Sequence, residues 1–260
     1  MLETPNQVVF WDLDSKLPTK VWSPNTMKVR SVLNFKRIPY TTKFLPFTAF
    51  PPLLEKEGIK PWPRAPHYTL PVISHKGKTI MGSDQIVAYL EKEFPHTRSV
   101  YPTPGALEES KAMCKLVPRI FFVIGPTTAA FISSIMEDVD QKYFLWKFDE
   151  RDGIIDIPKF LNNPVAVLEK WDLIQRFYNN FEGFTSKKFS AEQLGRLKSG
   201  KYLFGDYCSY ADLLYFSLLF WVLIGYSQDK SRTSELVTDE WLKAWYNRML
   251  VYSSNTTPRL

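Results

Sequence analysis

The chain of 260 residues is 45% hydrophobic and 15% aromatic, enough apolar mass for two packed cores of ordinary domain size. Lysine and arginine outnumber aspartate and glutamate by 33 to 27, a mild pull on anions, but the basic residues are scattered, which argues against nucleic-acid binding. The N-terminus has neither a basic start nor an apolar stretch behind it, and Cys114 and Cys208 lack metal-ligand or disulfide-framework spacing, so the expectation is a cytoplasmic globular protein without metal, disulfide or membrane segment.

Val8-Val9-Phe10-Trp11 reads as a first β-strand. Soon after it stands Trp22-Ser23-Pro24-Asn25-Thr26. The fixed φ and missing N–H of Pro24 suit the first position of a helix reaching to about Asn34, with Ser23 as the cap before it. Free N–H groups and the positive dipole end at such a helix start favour an anion, a thiolate included. Ser23 is therefore open to two readings with the same geometry: a plain N-cap, or a hydroxyl donating to sulfur. Serine is not redox active, so a thiolate held there belongs to a bound ligand, which points to glutathione.

Tyr40–Phe47 reads as the second strand, followed by a proline-rich aperiodic stretch from Pro51 to Pro66. Tyr68–Ile73 and Thr79–Met81 read as a hairpin turning at Gly77. Pro71 heads the first of these strands and is a candidate cis-proline, a bond that would turn the backbone of Val72 outward to pair with an extended peptide. Gly82-Ser83-Asp84 then opens a helix carrying Ile86, Val87, Tyr89, Leu90 and Phe94 on one face. Ser83 and Asp84 serve either as cap and first-turn acid, or as holders of the carboxylate and ammonium of an α-amino acid.

Residues 1–95 form the first expected domain, 96–104 the linker, where Pro95–Pro104 is rich in turn-forming residues, and 105–260 an all-helical domain. Helical periodicity marks Glu108–Ile124, Thr127–Glu137, Pro164–Phe181, Ala191–Leu197, Tyr210–Ile224 and Asp239–Val251, and Pro118 with Gly125-Pro126 should bend or break the first long helix. The apolar run Leu213–Tyr226 is too short for a membrane, which takes about 20 residues. Gly205-Asp206-Tyr207-Cys208-Ser209-Tyr210-Ala211-Asp212 precedes it; Ser209 and Asp212 resemble a capping box and are assigned to stability.

A thiolate-type helix start, Thr-Leu-Pro-Val entering a strand, a serine at the next helix and Gly-x-x-x-Ser-x-Ala-Asp before a buried helix occur in this order over nearly the whole chain. Together they resemble the cytosolic glutathione transferases. Trp22-Ser23-Pro24-Asn25-Thr26 and Tyr68-Thr69-Leu70-Pro71-Val72-Ile73 are most similar to the fungal serine-type class called FuA, related to bacterial β-etherases. The resemblance implies an α/β thioredoxin-like N-terminal domain with an all-α C-terminal domain, glutathione as co-substrate, and a homodimer. By it, Ser23 stabilises the glutathione thiolate, Asn25 adds a contact on the sulfur side, Pro71 is the cis-proline, Val72 pairs with the cysteinyl unit and Ser83 holds the γ-glutamyl carboxylate. The family usually has an acid just before that serine, whereas this chain has Gly82. That departure leaves two outcomes: weaker glutathione binding, or Asp84 as the ammonium's partner. For the glycyl carboxylate the cations on offer are Lys43, Lys60, Arg64 and His67, with His67 carried forward. The implied activity is thiolate attack on electrophilic or ether-linked aromatic compounds, or peroxide reduction; the rival is a weakly catalytic protein of the same fold that holds aromatic or phenolic ligands.

Overall fold

The computed structural model describes residues 7–62, 67–151, 153, 155–227 and 229–253. Four strands, β1 (Val8–Leu13), β2 (Tyr40–Leu45), β3 (Val72–His75) and β4 (Lys78–Met81), form one sheet in the order β2-β1-β3-β4. β1 runs parallel to β2 and antiparallel to β3, which is antiparallel to β4. Every residue of β1 is buried, as an inner strand covered on both faces requires. The β3–β4 hairpin turns on Lys76 and Gly77, both at positive φ (49° and 70°), the geometry of a two-residue primed turn in which glycine carries no steric cost.

The helices are α1 (Pro24–Lys36), α2 (Phe50–Lys56), α3 (Ser83–Glu93), α4 (Ala106–Ile132), α5 (Asp138–Trp146), α6 (Ile157–Leu161), α7 (Pro164–Asn179), α8 (Phe181–Thr185), α9 (Ala191–Arg196), α10 (Tyr210–Gly225), α11 (Lys230–Glu235) and α12 (Glu240–Met249). Among the described residues the order is thus a mixed four-stranded sheet with helices up to Glu93, and helices without a strand from Ala106 onward. α10 is buried at all sixteen positions and packs against both α1 and α4, so it is the spine shared by the two halves. Arg30 of α1 reaches Asp12 of β1 at 2.6 Å in a buried ion pair that fixes α1 on the sheet.

Two expectations from the sequence are corrected here. The proline-rich stretch holds α2, because Pro51 and Pro52 fall in its first turn, where a missing N–H leaves nothing unpaired. Helix α4 runs unbroken through Pro118 and Pro126. An interior proline costs about 3 kcal/mol, and here Met113, Leu116, Ile120 and Ile124 are all fully buried, so tertiary packing outweighs the two lost backbone bonds. The segment Ala106–Ile135 is also long and apolar enough to cross a membrane, but most of it is buried within the fold, as a core helix is.

Candidate active site

A cavity of about 780 Å³ lies where the sheet half meets the helical half. One wall is the start of α1 with the loop before it, another is the extended segment His67-Tyr68-Thr69-Leu70, and a third is one face of α4. That face carries Pro118, Phe122 and Pro126 at successive four-residue steps, so both interior prolines look into the cavity.

Ser23 is the N-cap of α1, with φ −71° and ψ 131°, and Pro24 follows at the first helical position. Its hydroxyl makes no capping bond. The helix start is organised instead through the Ser23 carbonyl, which accepts from the Met27 N–H at 2.9 Å and the Thr26 hydroxyl at 3.2 Å. The side chain is buried, 4% exposed, yet lies on the cavity wall.

Asn25 lines the cavity beside Ser23, and its Oδ1 accepts from the Lys28 ammonium at 2.9 Å. Lysine is a donor only, so the amide oxygen must face Lys28 and the NH₂ group faces away from it. Lys28 is buried, and desolvation lowers its pKa, with Asp84 acting in the opposite direction. The start of α1 therefore presents two donor groups, the Ser23 hydroxyl and the Asn25 amide, at the positive end of the helix, which is an arrangement for an anion.

The aromatic floor is gathered from separate segments. Trp22, held by its Nε1–H to the Asp14 carbonyl at 3.1 Å, packs on Phe47 and Phe144 with ring centres 6.0 and 6.4 Å away. Phe47 in turn meets Phe50 and Tyr143, and the Lys147 ammonium stands 5.5 Å from its ring centre. Asp140 clamps this corner across the two halves, accepting from the Phe47 N–H (2.8 Å), the Thr48 N–H (3.1 Å) and the Thr48 hydroxyl (3.0 Å). Trp221 of α10 and Phe121 of α4 close the far side, and Phe122 stands 79% exposed beside them.

The remaining sequence candidates separate into those on the cavity wall and those off it. His67 is on it. Lys43 lies exposed on β2 and Lys60 exposed beyond α2, neither on the wall, and Arg64 falls outside the described residues. The Leu70–Pro71 peptide is cis. Val72 requires a correction: β3 is an inner strand, so Val72 is paired with Trp11 on one side and Met81 on the other, and it is fully buried. The residues that line the cavity at this point are Thr69 and Leu70. Ser83 is the first residue of α3, half-buried, and Asp84 is exposed and accepts from the Tyr210 hydroxyl at 3.0 Å; both lie beyond the cavity wall next to its Thr69 end. Sequence reasoning missed Thr69, Leu70, Asp140 and the aromatic lining; the spacing of Pro118, Phe122 and Pro126 along one helical face was the signal available for part of it.

Neither cysteine suits a reactive role. Burial, with Asp84 nearby, pushes the Cys114 thiol up to about 11, and deeper burial drives Cys208 well above its ordinary value. At pH 8 roughly one Cys114 thiol in a thousand is ionised, against roughly one in four for a free cysteine. Alkylation of the folded protein by iodoacetamide at pH 8 is expected to run roughly a hundredfold slower than that of free cysteine, and labelling at the free rate would contradict this assignment. Among the described residues no three of His, Cys, Asp and Glu gather as a metal site.

Comparison with known proteins agrees with this geometry. Residues 17–98 match the family model of the glutathione S-transferase N-terminal domain. The glutathione S-transferase-like protein ustS of Aspergillus flavus is 27% identical over 226 residues, 82% of this chain and 79% of that protein. A glutathione S-transferase of Ceriporiopsis subvermispora, solved in complex with glutathione, superposes with a TM-score of 0.75 at 25% identity over 98% of this chain and all of that one (100%). Glutathione transferase GSTFuA3 of Phanerochaete chrysosporium superposes with a TM-score of 0.77 at 21% identity, covering 96% of this chain and 98% of that one. Residues 17–98 are thus similar to the glutathione S-transferase N-terminal domain, and the whole chain shares the fold of fungal glutathione transferases, FuA structures among them.

Proposed function

We propose that this protein is a serine-type glutathione transferase, in which Ser23 donates a hydrogen bond to the thiolate of bound glutathione and the thiolate attacks an electrophilic or ether-linked aromatic compound held in the aromatic cavity. The observation that carries the reading is the Ser23 hydroxyl, unused as a cap at the positive end of α1 and lying on the cavity wall. A free thiol of pKa about 8.5 is mostly protonated at neutral pH. A charge-assisted hydrogen bond from Ser23, a second from the Asn25 amide and the helix dipole each favour the charged form, so they lower that pKa and raise the thiolate fraction. The tripeptide backbone runs along Thr69 and Leu70, with His67 at its glycyl end and Ser83 at its γ-glutamyl end. The sulfur then forms its bond to the aromatic substrate as the leaving group departs with the bonding electrons. Peroxide reduction by the same thiolate is the alternative use of the site, and a homodimer is the assembly expected of it, checked by sedimentation.

Calorimetric titration with glutathione, followed by turnover of a chlorodinitrobenzene, tests the proposal. Binding and conjugation are expected. Failure to bind glutathione overturns it, and binding of glutathione and phenolic ligands without any turnover leaves the ligand-binding reading in its place. The aromatic cavity itself is what favours that second reading.

Asp140 supplies a test of which part of the cavity serves which substrate. Asp140→Ala removes the acceptor for the Phe47 and Thr48 amides and is expected to cost about 2 kcal/mol of stability. It should raise KM for the aromatic substrate while Kd for glutathione stays unchanged, since Phe47 is part of the aromatic floor and not of the Thr69–Leu70 wall. An equal loss for both substrates contradicts that division.

A further inference from the structure

The departure at Gly82 has a packing cause. Gly82 precedes α3 at φ +98°, and its N–H is bonded to the carbonyl of Pro71 at 3.0 Å, so its conformation is fixed by the hairpin. A Cβ placed on it would lie 2.6 Å from Oε1 of Gln85, a flexible side chain, and 2.9 and 3.1 Å from Cζ2 and Cη2 of Trp62. The benzo ring of Trp62 and the Gln85 amide oxygen therefore share the space that a side chain at 82 would use. That ring is anchored: the Trp62 Nε1–H donates to the Thr69 hydroxyl at 3.0 Å, and the Trp62 backbone N–H donates to the His67 carbonyl at 3.1 Å. Both anchors are residues of the cavity wall. Trp62 is half-buried, and thus bridges the wall that would carry the glutathione backbone to the start of α3, where Ser83 and Asp84 stand.

We infer that Trp62 takes the place of the missing acid at 82 as the specificity-determining residue for the α-amino-acid end of the thiol ligand, holding its ammonium against the indole while Asp84 supplies the negative charge. This rests on the proposed glutathione site. An indole face is the strongest aromatic partner for a cation, and a desolvated contact of this kind is worth more than an exposed one. Asp84 is suited to the complementary part because the Tyr210 hydroxyl, donating from α10, fixes its Oδ1 at the exposed start of α3. The arrangement discriminates ligands by the α-amino group, since the indole, with the Gln85 amide oxygen beside it, stands where a side chain at 82 would project.

The test compares glutathione with its deaminated analogue, glutaryl-cysteinylglycine, by calorimetric binding to wild type, Trp62→Phe and Trp62→Leu. Wild type is expected to prefer glutathione, and Trp62→Leu to lose roughly threefold to thirtyfold of that preference, the span of a cation–π contact from an exposed to a desolvated setting. Trp62→Phe, which keeps a ring, should retain part of it and provides the readout if the leucine variant folds poorly by near-ultraviolet circular dichroism. A preference unchanged in both variants, or an equal loss for the two ligands, overturns the inference, the latter because it marks a purely structural role. Tighter glutathione binding by Trp62→Leu also overturns it, by showing the indole to be a plug. Wild type that binds neither ligand removes this inference together with the proposed function, whereas wild type that binds both equally removes this inference alone.

Discussion

Ser23→Ala should lower kcat/KM for glutathione conjugation by roughly tenfold to a hundredfold, the worth of one hydrogen bond to a charged group read as a barrier height. The same substitution should leave folding stability nearly unchanged. These two expectations pull apart the readings that the sequence left joined. A serine that caps a helix through its side chain costs about 1 kcal/mol when replaced by alanine, but the hydroxyl of Ser23 makes no such bond, and the Ser23 carbonyl that does organise the first turn survives the change. Below the pKa of the bound thiol, Kd for glutathione should hold, because the Thr69–Leu70 wall proposed to carry the peptide is untouched, and above that pKa binding should weaken by linkage as the thiolate loses its donor. The acid limb of the pH–rate profile should move to higher pH, since the thiolate loses a donor and its pKa rises toward the free value. A variant of full activity and reduced melting temperature contradicts the account on both counts.

The largest stability effect should come from Asp212→Ala, a loss of about 4 kcal/mol, the range expected when buried donors are left without their charged acceptor. Asp212 is fully buried at the start of α10 and accepts from the Leu203 N–H (2.8 Å), the Ser209 N–H (2.9 Å), the Ser209 hydroxyl (3.0 Å) and the Trp245 Nε1–H (2.9 Å). It thereby joins three segments: the turn before α10, α10 itself and α12. Alanine leaves the donors of Leu203, Ser209 and Trp245 without this acceptor in a dry core. For a chain of this size the melting temperature should fall by about 10 °C in calorimetry. Asp212→Asn should lose less, because the amide oxygen still accepts from Leu203 and Trp245 while its NH₂ opposes Ser209. A fall of under about 1 kcal/mol for Asp212→Ala would place the motif outside the folding core.

What the sequence made legible were the features written in local chemistry. Pro24 after a capping serine starts α1, Gly77 turns the hairpin, and Ser83 begins α3, each within a few residues of its cause. The features that escaped depend on what arrives from elsewhere. Expecting a break in α4 follows from proline alone, whereas the helix continues because α10 packs along it. The strand order is not written in the local sequence around Val72, and β3 is internal, so Val72 is paired on both sides and is not a free edge for a ligand peptide. The aromatic floor could not be assembled in advance, since Trp22, Phe47, Phe144 and Trp221 come from four separate stretches of chain. Gly82 is the mixed case: its oddity was plain in the sequence, but its cause, the ring of Trp62, exists only in the fold.

The central claim is that α1 holds a ligand thiolate through Ser23, and the ionisation of bound glutathione tests it most directly. The thiolate absorbance of the protein–glutathione complex, titrated against pH in wild type and in Ser23→Ala, should show the bound thiol of wild type ionising well below its free pKa of about 8.5 and that of the variant returning toward it. Identical titration of the bound thiol in the two proteins, at its free value, would contradict the account.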